Sequence, residues 1–187
     1  MMFCMDLQLQ FFGTPVLRQR ADEVETPTPE LHALAEQMLE VMYAERGVGL
    51  AAEQVGRTER LFVIDIPPSS DVDEGGEREN PDVSMPLVCI NPVIKSHSEE
   101  TQRGPEGCLS FPGITADVER WQEIEVSFMN LEGNQVELQA KGLLARAYQH
   151  ELDHLNGVLF IDHISPVKKA LLDSKLKRLA KQTKKAL

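Results

Sequence analysis

Cysteine is scarce in this chain: Cys4, Cys89 and Cys108 are the three among 187 residues. So few thiols, odd in number, do not make a disulfide scaffold, and we expect them to be reduced. The sequence also lacks an apolar run of about 18 residues, so we expect no membrane-spanning helix and no membrane partner. Its first residues have no basic segment followed by an apolar one, which predicts the absence of an export signal and a cytoplasmic location.

Positive charge is outnumbered, with 19 Lys and Arg against 30 Asp and Glu. Eight of those 19 cations nevertheless lie in residues 167–187, where Asp173 is the one acid. An acidic body does not favour sequence-specific nucleic-acid binding. The basic segment, in contrast, has the local charge to contact a phosphate-rich surface.

Hydrophobic residues make up 42% of the chain, which indicates an ordinary folded domain rather than a disordered one. Local patterns predict helices over 29–46, after Gly142 and from Ser165-Pro166, and strands over 61–66, 87–91, 123–130 and 135–140. Because strands form hairpins rather than alternating with helices, we predict an α+β fold with antiparallel sheets packed around a central helix. The last helix is amphipathic, and we expect it to bury Leu171, Leu172 and Leu179.

The same patterns predict the domain organisation. Residues 1–166 form one domain, interrupted at about 67–86 by an acidic loop with six acids and one Arg. Such a loop cannot bury much, so we expect it to be a mobile surface insertion. Residues 167–187 form the basic helix, which packs on the domain or extends from it.

The strongest chemical signal is His150-Glu151-Leu152-Asp153-His154, an HExxH sequence on a predicted helix. Residues four apart lie about 5–6 Å apart on one helix face, so both imidazoles can bind one metal ion. Glu151 points about 100° away from His150 on the helical wheel. It is therefore too far to the side to be an obvious third ligand, but it is suited to act as a general base.

A catalytic metal of this kind needs a third protein ligand. The metzincin pattern HExxHxxGxxH fails here, because Gly157 stands at the glycine position but Phe160 stands where the last histidine is required. Cys108, in Glu-Gly-Cys-Leu-Ser between turn-forming residues, is the remaining candidate. One sulfur and two nitrogens would leave a fourth coordination position open.

The third segment is Gly47-Val-Gly-Leu-Ala-Ala-Glu-Gln54. It matches a G-x-G-x-x-A dinucleotide fingerprint, but a helix precedes it and a strand follows it, which is the reverse of the required order. The two glycines instead let the backbone approach a ligand closely. Taken alone, the segment is predicted to be a turn. Gln54 offers a neutral amide that can donate to a developing oxyanion.

Together these three segments resemble the signatures of the bacterial-type peptide deformylases. The family patterns GxGxAAxQ, EGCLS and QHExDHLxG stand here as GVGLAAEQ (47–54), EGCLS (106–110) and QHELDHLNG (149–157), in the family's order. The resemblance covers roughly residues 10 to 175. It implies hydrolysis of the N-formyl group from the formyl-methionine of new polypeptides, with release of formate.

The resemblance implies a metal site and its ligands. Cys108, His150 and His154 would hold one divalent metal per chain. The family suggests Fe²⁺ in cells, whereas the ligand set also suits Zn²⁺ or Ni²⁺. The basic C-terminal helix resembles the segment by which some family members contact the ribosome, so ribosome contact is a hypothesis here, and a helix that merely packs on the body is the alternative.

The resemblance also implies catalytic and substrate-binding residues. Glu151 would be the general acid/base, and Gln54 with the backbone N–H of Leu109 would bind the oxyanion. The peptide and its methionine side chain would be bound by Val48, Gly49, Leu143 and Ala147. Two positions depart from the family pattern: Arg146 replaces an expected apolar residue, and Thr115 stands where many members have an Arg.

Two alternatives remain at the level of the sequence. One is a zincin-like peptidase that cleaves internal amide bonds, which the failed metzincin pattern and a cysteine ligand disfavour. The other is a non-catalytic metal-binding module that docks through its basic tail. It predicts metal binding without turnover.

Overall fold

The computed structural model describes residues 7–186, so Cys4 and the expected lack of an export signal lie outside the described residues. The helices are α1 (Pro29–Ala44), α2 (Gly142–Leu155) and α3 (Pro166–Ala186). The strands are β1 (Gly49–Ala51), β2 (Leu61–Ile64), β3 (Leu87–His97), β4 (Thr101–Gly107), β5 (Thr115–Trp121), β6 (Glu123–Met129) and β7 (Gln135–Lys141). No helix among the described residues has the length and apolar character needed to cross a membrane.

The strands form two antiparallel sheets. Five strands pair in the order β1-β2-β3-β6-β7, and β4 pairs with β5 alone. The predicted hairpin is present, with Glu123 opposite Lys141 and Met129 opposite Gln135. The α+β fold with antiparallel sheets, a central helix and a C-terminal helix is therefore confirmed.

Helices cover both faces of the five-stranded sheet, as β2 shows. Phe62 and Ile64 belong to the apolar cluster that includes buried residues of α2, whereas Leu61 and Val63 pack in the cluster that includes α1. Successive side chains of a strand point to opposite faces, so a strand buried on both faces has no polar positions. The uninterrupted apolar run of β2 follows from this placement.

Local signals define the ends of the helices. Thr28 caps α1 by accepting a hydrogen bond from the Leu31 N–H at 3.3 Å, and Pro29 occupies the first turn. The central helix α2 ends at Leu155, with Gly157 just beyond it at φ +71°. The third helix begins at Pro166, as predicted.

The structure corrects three local expectations. Gly49–Ala51 is a short strand rather than part of a turn, because it pairs with β2. The β4–β5 hairpin was not predicted, since β4 carries Gly104 and Pro105, which are poor strand formers. Leu171 does not pack on the domain: it is 77% exposed, and Leu176, 6% exposed, is the buried leucine of α3.

The acidic loop is mostly exposed, as expected of a surface insertion, but two of its side chains are buried. Asp71 is 1% exposed and Asn80 is 4% exposed. The Asn80 side chain accepts a hydrogen bond from the Lys141 N–H at 2.9 Å and donates one to the Lys141 carbonyl at 3.2 Å. The loop is thereby fixed to the residue immediately before α2.

Candidate metal centre

The helix α2 places His150 and His154 on one face, one turn apart. Their ring centroids are separated by 5.0 Å, and the side chains are buried, with His154 only 1% exposed. This is the arrangement that the four-residue spacing predicts.

Cys108 approaches the two histidines from the second sheet. It follows Gly107, the last residue of β4, and its Sγ lies 3.3 Å from Nε2 of His154. One potential ligand atom from each of Cys108, His150 and His154 lies within 4.8 Å of the other two. Within residues 7–186 no other group of three His, Cys, Asp or Glu side chains comes together in this way.

These three side chains fit a bound divalent ion. With bond lengths of about 2.3 Å to sulfur and about 2.0–2.1 Å to nitrogen, tetrahedral coordination separates the two atoms by about 3.5 Å. The observed 3.3 Å between Cys108 and His154 is close to that separation. A thiolate with two imidazoles suits a transition metal, and three ligands leave a coordination position for water or substrate.

Glu106, in β4, orients one of the histidines. Its carboxylate accepts a hydrogen bond from Nδ1 of His150 at 3.0 Å, two from Arg120 at 2.9 and 3.0 Å, and one from Arg146 at 2.8 Å. Burial opposes ionisation here, but the bonds from His150 and Arg120 prevail and hold the pKa of Glu106 well below its ordinary value. Because Nδ1 is the donor to Glu106, Nε2 of His150 is left available to a metal.

Arg146 does not place an unpaired charge in the cavity. Besides its bond to Glu106, it donates to the carbonyls of Gln102 at 3.0 Å and Val118 at 3.1 Å. It thus joins α2 to both strands of the second sheet. Thr115, the other departure from the family pattern, lies opposite Gly107 in that sheet and lines the cavity.

Gln54 lies beside Cys108, and hydrogen bonds hold its side-chain amide in one orientation. Its Oε1 accepts from the Ala51 N–H at 2.9 Å, which leaves Nε2 to donate to Cys108 Sγ and Ser110 Oγ, each at 3.3 Å. The side chain is 1% exposed. Its two N–H donors therefore point toward the Cys108 segment in a site where little water competes.

Glu151 is buried on the same side, at 4% exposed. Its Oε2 has no hydrogen-bond partner among the described residues, and burial raises the pKa of the carboxyl to about 7. The carboxyl group occupies the space beside Gly49, where a Cβ would lie 2.9 Å from Glu151 Cδ. Gly49 is required here because any side chain would displace this carboxyl.

A cavity of about 600 Å³ opens over these groups. Nine of the ten residues singled out from the sequence line it: Val48, Gly49, Gln54, Cys108, Leu109, Leu143, Ala147, His150 and Glu151. The tenth, His154, is not part of its wall. The structure thus brings together in one place all ten residues from three distant segments.

Sequence reasoning missed the contribution of the N-terminal segment. Leu9 and Phe11 line the cavity, and the N–H groups of Gln10 and Phe12 donate to the carbonyls of Gln54 at 2.8 Å and Ser110 at 3.0 Å. The segment therefore lies against both motif segments. Its apolar-polar alternation, Leu-Gln-Leu-Gln-Phe, is a strand-like signal that indicates one buried face.

The sequence matches a known family model and named relatives. Residues 7–170 match the family model described as polypeptide deformylase. The peptide deformylase of Thermotoga maritima is 43% identical over 178 residues, covering 95% of this chain and 99% of the relative. The peptide deformylase of Rhizobium meliloti is 45% identical over 167 residues, covering 89% of this chain and 90% of the relative.

Solved structures are similar as well. A peptide deformylase from Synechococcus elongatus, in complex with actinonin, has a TM-score of 0.78 at 43% identity, covering 91% of this chain and 86% of its own. A plant peptide deformylase has a TM-score of 0.85 at 32% identity, covering 100% of this chain and 95% of its own.

Proposed function

Since the chain belongs to the polypeptide deformylase family, it is a metal-dependent hydrolase of N-formylated peptides, and we propose which of its residues carry that reaction. The observation that supports the assignment most directly is the convergence of Cys108, His150 and His154 beside Gln54 and Glu151. The substrate is the formyl-methionine end of a new polypeptide, and the products are formate and a free amine.

Cys108, His150 and His154 are the proposed metal ligands. A bound divalent ion would polarise both water and the formyl carbonyl. Fe²⁺ is the proposed ion in cells, with Zn²⁺ or Ni²⁺ as ions that the same ligands accept. Metal analysis after anaerobic purification tests this proposal, and a preparation containing Zn²⁺ without iron would contradict it.

Glu151 is the proposed general acid/base. As water oxygen bonds to the formyl carbon, the carboxylate of Glu151 takes a proton from that water. It then delivers this proton to the nitrogen as the C–N bond breaks, so that formate and the amine separate. A pKa raised by burial to about 7 suits a group that must both accept and donate near neutral pH.

Gln54 and the N–H of Leu109 are the proposed oxyanion donors. The Gln54 amide is fixed through its Oε1 by the Ala51 N–H, so its Nε2 needs no reorientation during the reaction. Leu109 follows Cys108 directly in the chain, which places its N–H within a few ångström of the sulfur by covalent geometry. Such preorganised donors stabilise charge as it develops on the formyl oxygen.

The apolar part of the cavity is the proposed site for the methionine side chain. Leu143 and Ala147 lie one turn apart on α2, immediately before the histidines, and Val48 lies in the opposite motif segment. Gly49 offers backbone groups to the peptide. These residues together bind an unbranched apolar side chain and leave the formyl group next to Cys108.

We further propose that the chain is cytoplasmic and that residues 1–166 form its catalytic domain, with 167–187 as a ribosome-contacting helix. Exposed Lys175, Lys181 and Lys184 carry the positive charge that would meet phosphates. Replacing these three with Glu should abolish co-sedimentation with ribosomes at physiological salt while leaving turnover of free peptides unchanged. Unchanged co-sedimentation would contradict the ribosome proposal.

The central test is formate release from formyl-Met-Ala by the metal-loaded protein. Glu151→Ala should lower turnover far more than Gln54→Ala, for which loss of one oxyanion donor costs about 10²–10³. Both variants should retain the metal, since neither residue is a proposed ligand. Metal binding without formate release by the unmodified protein, or cleavage of internal peptide bonds, would refute the proposed function.

A further inference from the structure

A chain of hydrogen bonds leads from the proposed metal ligand His150 to the protein surface. Its outer part begins at His163, whose Nε2 donates to Oδ2 of Asp153 at 2.7 Å. The same Oδ2 accepts from Nη1 of Arg120 at 2.6 Å. The side chain of His163 is 35% exposed, that of Asp153 is 20% exposed and that of Arg120 is 5% exposed, so the chain becomes steadily more buried.

The inner part reaches the metal site. Arg120 uses Nε and Nη2 for Glu106, at 2.9 and 3.0 Å, and Glu106 accepts from Nδ1 of His150 at 3.0 Å. All the nitrogens of the Arg120 guanidinium are therefore engaged, Nε and Nη2 with Glu106 and Nη1 with Asp153, and Nη1 also lies 3.4 Å from Nε2 of His163. The position of Arg120, and with it that of Glu106, depends on Asp153 as well as on the sheet.

We propose that His163 is a positioning residue for His150, acting through Asp153, Arg120 and Glu106. His163 holds the partly exposed Asp153 carboxylate where its Oδ2 meets Arg120. Without that donor the carboxylate can turn to solvent, and Arg120 loses the contact that fixes its third nitrogen. Glu106 then orients the His150 ring less firmly, and a histidine whose outer hydrogen bond is weakened binds metal less tightly.

His163 is suited to this test because it lies away from the substrate. His163, Asp153 and Arg120 line a groove on the back of α2, together with Gln149 and Leu152. The catalytic cavity lies on the other side of the helix and contains none of these five. A change at His163 can therefore reach the metal site only through the protein, not through substrate contact.

The experiment measures metal release, a readout that does not require turnover. The protein is loaded with Co²⁺, excess EDTA is added, and loss of the visible Co²⁺ absorption is followed. His163→Ala should release metal about threefold to tenfold faster, which is less than the ~10–100-fold typical of a group that touches the ligand itself. His163→Gln keeps an N–H donor and should stay within about twofold of the unmodified rate. This inference rests on the proposed metal ligands, but absence of formate release would leave the release measurement intact.

Two controls make the outcome decisive. His32→Ala removes a histidine from α1, remote from this chain of bonds, and should leave the release rate unchanged. His163→Phe keeps the bulk of the ring without its donor, and it replaces the alanine variant if that one does not fold. On formyl-Met-Ala the donor-free variant should lower kcat with KM unchanged. Release from it at the rate of His32→Ala, or equally fast release from His163→Gln, would overturn the proposal.

Discussion

At the scale of the residue, the buried position of Glu151 depends on the absence of a side chain at Gly49. The carboxyl of Glu151 fills the space that a side chain at position 49 would need, with Cδ only 2.9 Å from an added Cβ. A glycine in a strand usually weakens it, because it adds backbone entropy and packs nothing. Here that cost allows a buried acid to lie beside the proposed metal ligands.

Gly49→Ala should therefore reduce kcat by about 100-fold if Glu151 is the general acid/base we propose, because displacing a catalytic group by about 1 Å has an effect of that size. The bound metal should be retained, since the three atoms nearest the new methyl group all belong to Glu151 and none to Cys108, His150 or His154. Formate release and metal content measure the two effects separately. Gly75→Ala, in the acidic loop away from the cavity, is the matched control, and equal activity of the two variants would show that Gly49 is not needed.

A second buried acid, Glu53, has a consequence for stability. It is 0% exposed, neither side-chain oxygen has a hydrogen-bond partner among residues 7–186, and burial raises its pKa from 4.5 to about 8. The folded protein thus keeps a proton that the unfolded chain releases above pH 4.5. Its contribution to stability is complete below that pH and is lost as the pH rises toward 8.

Glu53→Gln removes this titration. From pH 5 to pH 8 the free energy of unfolding of the variant should rise, relative to that of the unmodified protein, by about 3 kcal/mol. Urea unfolding at the two pH values measures the difference. Glu40→Gln, an exposed acid of α1, should show no such change. A pH-independent difference at position 53 would mean that Glu53 is ionised in the folded protein.

At the scale of the element, the acidic loop contributes to the start of α2. The side chain of Asn80 makes both hydrogen bonds that a neighbouring strand would offer Lys141, and the Glu79 carboxyl fills the space beside Gly142, where an added Cβ would lie 2.6 Å from its Oε1. Gly142 has φ +53°, a backbone conformation that other residues adopt at a cost. The acidic loop, 61 residues earlier in the sequence, therefore sets the position at which the helix that carries the histidines begins.

Asn80→Ala should lower the free energy of unfolding by about 1–3 kcal/mol, because it removes both hydrogen bonds to the Lys141 backbone and one of the hydrogen bonds to buried Asp71. The urea midpoint of unfolding measures this loss. Asp82→Ala, an exposed residue of the same loop, is the control. If both variants unfold at the same urea concentration, the loop does not support α2.

At the scale of the whole molecule, α3 is part of the fold as well as a carrier of charge. Leu176 packs in an apolar cluster with Phe111, next to the Cys108 segment, and Phe160, which follows α2. The cluster joins the C-terminal helix to both segments that carry the proposed metal ligands. The opposite side of α3 keeps Val167 and Leu171 exposed, at 74% and 77%.

Leu176→Ala should therefore destabilise the protein by about 2–4 kcal/mol, since it removes buried methyl groups and leaves a cavity. Leu171→Ala, the same substitution on the same helix, should change stability by no more than about 0.5 kcal/mol. Thermal or urea unfolding of both variants distinguishes the two positions. Equal destabilisation would place both leucines in the interface and contradict the packing described.

That the residues of the proposed site lie together was largely predictable, because the signals for them are local. The spacing of His150 and His154, the turn residues around Cys108 and the helix stop at Gly157 are read within a few residues each. The β4–β5 hairpin was not predictable in this way. A local pattern rejects the weak strand formers of β4, and it is the pairing with β5, for example of Glu106 with Ala116, that compensates for them. The burial of Leu176 instead of Leu171 depends on where the body of the molecule lies, which the periodicity of a basic helix leaves undetermined.

By itself, then, the sequence determined which reactive groups the proposed site contains: one thiol, two imidazoles a helical turn apart, an acid directly after the first of them and an amide in a glycine-bearing segment. These follow from residue type and from the fixed rise and turn of a helix. Only the tertiary structure decided what surrounds them, namely the three donors on Glu106, the approach of Leu9 and Phe11, and the path from His150 to His163. Those contacts join residues far apart in the chain, and their free energy exists only once the packed elements exclude water from between them.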